Sequence, residues 1–166
     1  MKLTPPQVGY IERVGRWWDS IYGSKMAGRI LGLLMICDPP HLSAQEMVET
    51  LGASTGSIST QTRLLVSLNL VETTSFLGDR TNYFQLRPNV WVQMMWAEQA
   101  RILGMRELAT NVEGVLPEQR PERLTELALM TEFLVEEWPK MMSRMSEHLK
   151  SRESDGGYAE PNQGAV

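Results

Sequence analysis

A chain of 166 residues, of which 42% are hydrophobic, is long enough to bury the core of one compact domain, with or without helical arms. Its net charge of -4 argues against a protein that coats nucleic acid by charge alone. Its single cysteine, Cys37, excludes a disulfide scaffold and a cysteine-rich metal site.

Hydropathy along the chain points to an aqueous compartment. No segment has the ~20 consecutive apolar residues of a membrane span. The N-terminus also lacks the apolar core of a secretory signal. We therefore expect a cytoplasmic protein.

Two helices are predicted at the start of the chain. Pro5 opens the first, which runs to about Ile21 with apolar side chains at helical spacing. Ser24 can cap the second, which is strongly apolar over Ile30–Cys37. We expect Cys37 to end this helix as a buried, inert thiol rather than as a redox sensor.

A helix-turn-helix is predicted next. Ser43 and Glu46 have the spacing of a capping box, in which each side chain accepts a backbone N–H of the other. Gly52 follows the apolar stripe of this short helix, where a left-handed residue turns the chain. Ser54 can then cap a second helix after only a few residues.

The second helix of this motif has one apolar and one polar side. Ile58, Leu65 and Leu68 fall on one side, with Thr62 half-buried between them. The opposite side carries Gly56, Thr60, Arg63 and Ser67. Because no carboxylate occurs from Thr50 to Val71, hydroxyls and an arginine can meet phosphate and base edges without repulsion. An ordinary solvated face remains the alternative.

A β-hairpin wing is predicted after this helix. Leu70–Phe76 and Asn82–Leu86 are β-rich runs joined by a polar, glycine-containing tip. Arg80 lies at that tip, where a wing can reach the sugar-phosphate backbone or the minor groove. We expect Asp79 to shape the turn or to orient Arg80.

Two long helices are predicted after the wing, from Pro88 to about Val115 and from about Pro121 to Arg152. Pro139 should kink the second one. Both carry residues in rows seven apart, as helices that pack along a seam do. The rows of the first helix are Met95, Ile102, Ala109 and Leu116, and Trp91, Glu98, Met105 and Val112. The rows of the second helix are Leu124, Thr131, Trp138 and Met145, and Leu127, Leu134, Met141 and His148.

Together these elements predict a mainly α fold with a small β-hairpin wing, in which a winged helix-turn-helix domain is joined to a helical dimerisation domain. Residues 1–23 form the N-terminal helix of the dimerisation region and residues 24–88 form the DNA-binding domain. Residues 89–152 form the long-helix part of the dimerisation region. Residues 153–166 have the composition of a disordered tail.

Three stretches resemble the MarR family of transcriptional regulators, and within it the GbsR-type branch: Ala27–Pro40 (AGRILGLLMICDPP), Ser54–Leu65 (STGSISTQTRLL) and Gly78–Asn89 (GDRTNYFQLRPN). The resemblance implies a bacterial homodimer that places two recognition helices in successive major grooves of a palindromic operator. It also implies repression that a small ligand relieves. The DNA contacts that it assigns are Ser54, Thr55, Ser57, Thr60, Gln61, Arg63, Asp79 and Arg80.

The wing departs from the family pattern. Family wings commonly carry Asp-x-Arg, whereas the second position after Asp79 is Thr81. We expect Arg80 to take over the minor-groove role.

A ligand site is predicted from the eleven methionines and five tryptophans, most of which lie in helices outside the DNA motif. Methionine repacks around irregular ligands and tryptophan supplies flat walls, so an adaptable site for a small lipophilic molecule is one interpretation. Its candidates are Trp17, Trp18, Met94 and Met95. Ordinary core and dimer packing is the other interpretation.

No catalytic arrangement is found. His41 and His148 lack metal-ligand spacing, and Gly28 and Gly32 lack the Gly-Lys-Ser/Thr ending of a phosphate loop. We therefore predict no enzyme, no cofactor and no metal.

Three functions stay open. They are a ligand-responsive, sequence-specific DNA-binding regulator, a winged-helix protein that has lost DNA binding and acts through protein contacts, and a small-molecule binding module. The DNA-binding function has one observation against it: the segment from Lys25 to Pro88 has no net charge, because its five basic residues balance five acidic ones. DNA affinity must then come from the placement of charge and from two copies of the motif.

Overall fold

The structure, a computed structural model, describes residues 1–110, 112 and 124–154. It divides into two compact units, Met1–Val90 and Trp91–Val166, which are described separately. None of the helices in the described part of the chain is long and apolar enough to cross a membrane.

The first unit begins with two closely crossing helices, α1 (Pro5–Tyr22) and α2 (Lys25–Leu34). Ser24 caps α2 as predicted, since its Oγ accepts the N–H of Ala27 at 3.3 Å. Nearly every side of α2 is buried, which explains its continuous apolar sequence. Gly28 lets the two helices touch, because a Cβ built on it would lie 2.8 Å from the Cα of Gly15.

The second helix ends earlier than predicted, so the assignment of Cys37 to its last turn is wrong. The helix stops at Leu34, and the N–H of Ile36 then donates to the Leu33 carbonyl at 3.1 Å, a tighter turn that ends the helix before Cys37. Cys37 is half-buried beyond the helix. Burial raises the pKa of its thiol, which disfavours the reactive thiolate.

The helix-turn-helix is formed by α3 (Ala44–Leu51) and α4 (Thr55–Ser67), and its predicted caps are confirmed. The N–H of Ser43 donates to the Glu46 carboxylate at 2.7 Å, and the N–H of Glu46 donates to the Ser43 hydroxyl at 3.2 Å. Gly52 has the left-handed φ of 60° that ends α3. The N–H of Ser57 donates to the Ser54 Oγ at 3.2 Å at the start of α4.

The buried side of α4 is narrower than predicted. Ile58 and Leu65 are fully buried, and Thr62 is buried rather than half-buried, with its hydroxyl donating to the Ile58 carbonyl at 2.8 Å. Leu68 was assigned to the same side but is 39% exposed. It follows Ser67 as the C-cap, where the chain has already left the helical path.

The sheet has three strands rather than the predicted two: β1 (Leu42–Ser43), β2 (Val71–Thr74) and β3 (Tyr83–Leu86), in the order β1-β3-β2. The β2-β3 hairpin is confirmed, although β2 is shorter than predicted and Phe76 lies outside it. Leu42 pairs with Phe84 and is buried, so the short strand closes the open edge of β3.

The second unit contains α5 (Val90–Thr110) and α6 (Thr125–Ser154). α5 therefore begins two residues after the predicted Pro88, and α6 continues through Pro139. The predicted break at Leu116 to Pro121 lies outside the described residues, as do positions 155–166 of the predicted tail.

The predicted rows of α5 and α6 are only partly buried. Ile102, Ala109 and Thr131 are buried, whereas Met105 and Met141 are more than a third exposed. Leu116 lies outside the described residues. Within this unit the indole N–H of Trp138 donates to the Met95 carbonyl at 3.3 Å, which ties α6 to α5.

The capping box gives α3 a pH-dependent stability. The backbone N–H of Ser43, and then its hydroxyl, hold the pKa of Glu46 below its ordinary value of 4.5. The stabilisation is therefore fully present above pH 4.5 and is lost as the pH falls through the lower pKa of the folded state. Glu46→Gln should lower the free energy of unfolding by about 0.3–1 kcal/mol at pH 7. In urea titrations the difference between the two proteins should close below pH 4.5, and an undiminished difference at acid pH would contradict this assignment.

Candidate nucleic-acid interface

The predicted contact residues of α4 lie on or beside its exposed side. Ser54, Thr55, Thr60 and Arg63 are exposed, whereas Ser57 and Gln61 are half-buried. α4 is capped by Ser54 and follows the Gly52 turn, so the first turn of the helix presents hydroxyls and its unpaired N–H groups at one end. Such a helix start suits phosphate oxygens.

Gln61 has a second partner that the sequence did not indicate. Its Oε1 accepts the hydroxyl of Ser24 at 2.7 Å, which ties the middle of α4 to the N-cap of α2. The same Ser24 hydroxyl caps α2 through Ala27. Gln61 therefore fixes α4 against the core, with its carbonyl oxygen already engaged.

Arg63 is held along the surface of α4. Its Nε donates to the Ser59 carbonyl at 3.1 Å, one turn earlier in the helix. Its two terminal nitrogens have no carboxylate partner among the residues that the structure describes. The guanidinium is thus oriented by its own helix and keeps the donor pair that recognises guanine or phosphate.

The other basic side chains between Lys25 and Pro88 each lie within 4.0 Å of a carboxylate oxygen. Lys25 and Arg29 both contact Glu12, at 3.2 and 2.7 Å. Arg87 contacts Glu72 at 3.9 Å. Arg63 and Arg80 are the two basic residues of this segment that the described structure leaves without a carboxylate. The balanced charge count therefore conceals two free cations, one on α4 and one on the wing.

Asp79 shapes the wing tip. One carboxylate oxygen accepts the N–H of Thr81 and the other accepts the hydroxyl of Tyr83, both at 2.8 Å. The Thr81 N–H, more than the Tyr83 hydroxyl, lowers the pKa of Asp79, so the carboxylate stays charged and is engaged inside the loop. Arg80 is exposed beside it. Of the two roles predicted for Asp79, shaping the turn is confirmed.

Two features of the wing were missed by sequence reasoning. Three rings cluster at its base, with centroids of His41 and Phe76 4.7 Å apart, His41 and Tyr83 5.1 Å apart, and Phe76 and Tyr83 5.3 Å apart. Leu77 is fully exposed at the tip. The ring cluster brings His41 to two rings that follow it by 35 and 42 residues, which no local pattern indicates. The exposed Leu77 is visible in the sequence only as an apolar residue in a turn.

The four predicted ligand contacts fall in different units. In the first unit Trp18 is fully buried and stacks on Tyr22 at 4.2 Å, whereas Trp17 is 45% exposed. The indole N–H of Trp18 is buried and has no hydrogen-bond partner in the described structure. In the second unit Met94 and Met95 are half-buried on α5.

The first unit also contains a partly open cavity of about 150 Å³. Its walls include Ile11 of α1, Arg29 of α2 and Leu51 of α3. None of the four predicted ligand contacts lines it. Among residues 1–110, 112 and 124–154, no group of acidic, histidine or cysteine side chains could hold a metal ion.

A helix-turn-helix followed by a two-stranded wing, with free arginines on the second helix and on the wing, defines a winged helix-turn-helix protein. No family model matches the chain. It is 36% identical over 133 residues to the HTH-type transcriptional regulator MmpR5 of Mycobacterium tuberculosis (strain ATCC 25618 / H37Rv), covering 76% of this chain and 79% of that protein. It also superposes on the crystal structure of a transcriptional regulator with a TM-score of 0.70, at 33% identity over 86% of this chain and 99% of the other.

The chain belongs to the MarR family of helix-turn-helix transcriptional regulators. The resemblance and the fold class predicted from the sequence are confirmed.

Proposed function

We propose that this regulator is a homodimeric repressor that binds a palindromic site in double-stranded DNA and is released by a small lipophilic ligand. The observation that carries the DNA part is the pair of arginines, Arg63 and Arg80, that lack carboxylate partners in the described structure while the neighbouring basic residues are paired. Between Lys25 and Pro88, a motif that pairs its other basic side chains but leaves these two free on α4 and the wing is suited to an anionic partner.

Different parts of α4 would contact the DNA bases and the DNA phosphates. Thr60 and Arg63 lie on its exposed side, one turn apart, and would face base edges in the major groove. Ser54 and Thr55 begin the helix and would contact phosphate, with Ser57 beside them. Gln61 would use its amide nitrogen, since its oxygen accepts from Ser24. Arg80 would reach the minor groove, while Asp79 holds the turn.

Dimerisation is supported by the apolar surface of the second unit. Leu108 on α5 is 71% exposed, and Leu129 and Phe133 on α6 are 62% and 65% exposed. Leu129 and Phe133 are four residues apart and share one face of the helix. Side chains of this size are rarely left in water as a group, and a second copy of the chain would cover them. Two copies also supply the two recognition helices that a palindrome requires.

A charge in this apolar face should break the dimer. Phe133→Lys removes two phenyl rings per dimer from the interface, each contributing about 1.5–3 kcal/mol when buried, so the dissociation constant should rise by a hundredfold or more. Sedimentation equilibrium measures the change. Glu132→Lys adds the same positive side chain one position away and should leave the dimer intact. Equal dissociation constants for Phe133→Lys and the unmodified chain would place the interface elsewhere.

A ligand would release the DNA if it bound more tightly to a dimer conformation whose two α4 helices are wrongly spaced for successive major grooves than to the DNA-binding conformation. Trp18 is proposed as one contact because its indole N–H is buried without an acceptor in the described structure, so a polar ligand group that reached it would satisfy it. Trp17 is the other proposed contact in the first unit, and Met94 and Met95 are proposed contacts in the second unit, each unit being considered separately. Thermal melting of the dimer with a panel of lipophilic small molecules tests this part, since a bound ligand raises the melting temperature.

The DNA part is tested by titrating the dimer with duplexes from the promoter of its own gene and of neighbouring genes, against a random duplex of equal length. The proposal predicts a Kd near or below ~10⁻⁸ M on one promoter site, at least about a thousandfold tighter than on random DNA. Footprinting should show two protected patches about 10 base pairs apart. Equally weak binding to all duplexes would favour a winged-helix protein that acts through protein contacts.

A further inference from the structure

The wing tip is built as a fixed turn. The N–H of Asp79 donates to the Phe76 carbonyl at 3.0 Å, and Gly78, the third residue of this turn, has a φ of 86°. Positive φ at that position is the requirement of a type II turn, and glycine adopts it without strain. Asp79 then fixes the following residues by accepting from Thr81 and Tyr83.

The turn displays Leu77 at its second position, where the side chain contacts nothing. Its relative exposure is 108%, the highest of the large apolar side chains in the described structure. By contrast Phe76, its neighbour, packs on His41 and Tyr83 at the base of the wing. Phe76, the first residue of the turn, thus packs against the fold, whereas the side chain of Leu77, the second residue, contributes no packing. A smaller polar residue at Leu77 would serve the turn equally well.

The charge beside Leu77 points to its partner. Arg80 follows three residues later and has no carboxylate partner in the described structure, and Asp79 between them is engaged inside the loop. An apolar side chain next to a free arginine at a rigid tip matches a groove with anionic phosphate rims and apolar sugar walls. The minor groove of DNA has this character, and apolar side chains that enter it unstack a base step and bend the duplex.

We propose that Leu77 inserts into the minor groove beside Arg80 and bends the DNA at that step. This inference rests on the proposed DNA-binding function. Arg80 supplies attraction to the backbone, and Leu77 supplies apolar contact with the sugars and with the faces of the unstacked bases. The tip would then contribute to the choice of site, since flexible pyrimidine–purine steps bend at the lowest cost.

Three variants measured on the promoter duplex test this role: Leu77→Ser, Leu77→Met and Arg80→Ala. Each is measured for Kd, for the slope of log K against log salt, and for DNA bending by energy transfer between dyes on the duplex ends. Because Leu77 is fully exposed, none of its variants should alter folding, which a thermal melt checks. Leu77→Ser should weaken binding about tenfold and reduce the bend, with an unchanged salt slope, because the residue carries no charge. Leu77→Met should retain both affinity and bend, whereas Arg80→Ala should make the slope shallower by about 2 per dimer.

The outcomes separate the two proposals. If the unmodified dimer prefers no duplex, the DNA-binding function itself is wrong. If it binds a promoter site and Leu77→Ser binds and bends that site equally, the minor-groove role of Leu77 is wrong. If Leu77→Met loses as much as Leu77→Ser, apolar contact is not the cause and the proposal is likewise overturned.

Discussion

Replacing Arg63 with alanine is expected to weaken binding to the specific site by about 1–3 kcal/mol for each copy in the dimer and to relax the choice of base where that arginine reads the groove. The reason is geometric. The Nε of Arg63 is occupied by the Ser59 carbonyl at 3.1 Å, so the guanidinium is oriented before DNA arrives and its terminal nitrogens lie free. Little side-chain entropy then remains to be lost on binding. Titration of promoter and random duplexes at one salt concentration measures the effect.

The control for Arg63→Ala is a variant that removes the same charge from another helix. Arg101→Ala serves, because Arg101 pairs with Glu98 at 2.8 Å within α5. Its affinity for the promoter site should stay within about threefold of the unmodified chain, as expected for an exposed pair that contributes at most ~1 kcal/mol. If Arg63→Ala and Arg101→Ala weaken binding equally, total charge rather than the exposed side of α4 determines affinity.

Gly28→Ala is expected to be the most damaging single-methyl change in the first unit. The added Cβ would lie 2.6 Å from the Trp18 Cβ, 2.8 Å from the Gly15 Cα and 2.9 Å from the Val14 carbonyl oxygen. These are backbone atoms or atoms fixed to it, so α1 and α2 must move apart to admit the methyl group. Overpacking of this kind costs about 1–3 kcal/mol, and because none of the three contacted atoms can move without its backbone, the expected loss at Gly28 is at or above the upper end of that range. Urea or thermal unfolding measures the loss.

Gly56→Ala is the matched control for Gly28→Ala. Gly56 lies in the first turn of α4, and a Cβ there would meet no heavy atom within 4 Å. The same added methyl group should therefore leave the free energy of unfolding unchanged or raise it by up to about 1 kcal/mol, because alanine favours helix. A similar loss of stability in both variants would mean that the close crossing of α1 and α2 does not govern the effect at Gly28.

The helices and caps of the DNA motif were predictable because their signals are local. Ser43, Glu46, Gly52 and Ser54 each act within a few residues, and each adopts the predicted role. The third strand of the sheet, in contrast, was missed because it depends on a partner distant in sequence. β1 is only two residues long, and it exists because β3, some 40 residues later, offers it a free edge.

The sequence predicted which residue types lie at the candidate interface. It did not predict which of those side chains are already held by partners within the fold. Arg63, Arg80 and Arg87 look alike in the sequence, yet Arg87 faces Glu72 across the hairpin and the other two have no such partner in the described structure. Gln61 was expected on the DNA side, but its oxygen is held by Ser24, 37 residues earlier. Pairing across strands and helices decides which side chains remain available, and that pairing is a property of the fold.

The central claim is that Arg63 and Arg80, present twice in a dimer, bind the DNA. The most direct measurement is the salt dependence of promoter binding for the unmodified chain and for the double variant Arg63→Ala/Arg80→Ala. Four arginines that each displace a counterion predict a slope of log K against log salt of about -3.6 or steeper. In the double variant that slope should be shallower by about 3 to 4, and the preference for the promoter over random DNA should be lost. An unchanged slope and preference in the double variant would contradict the claim.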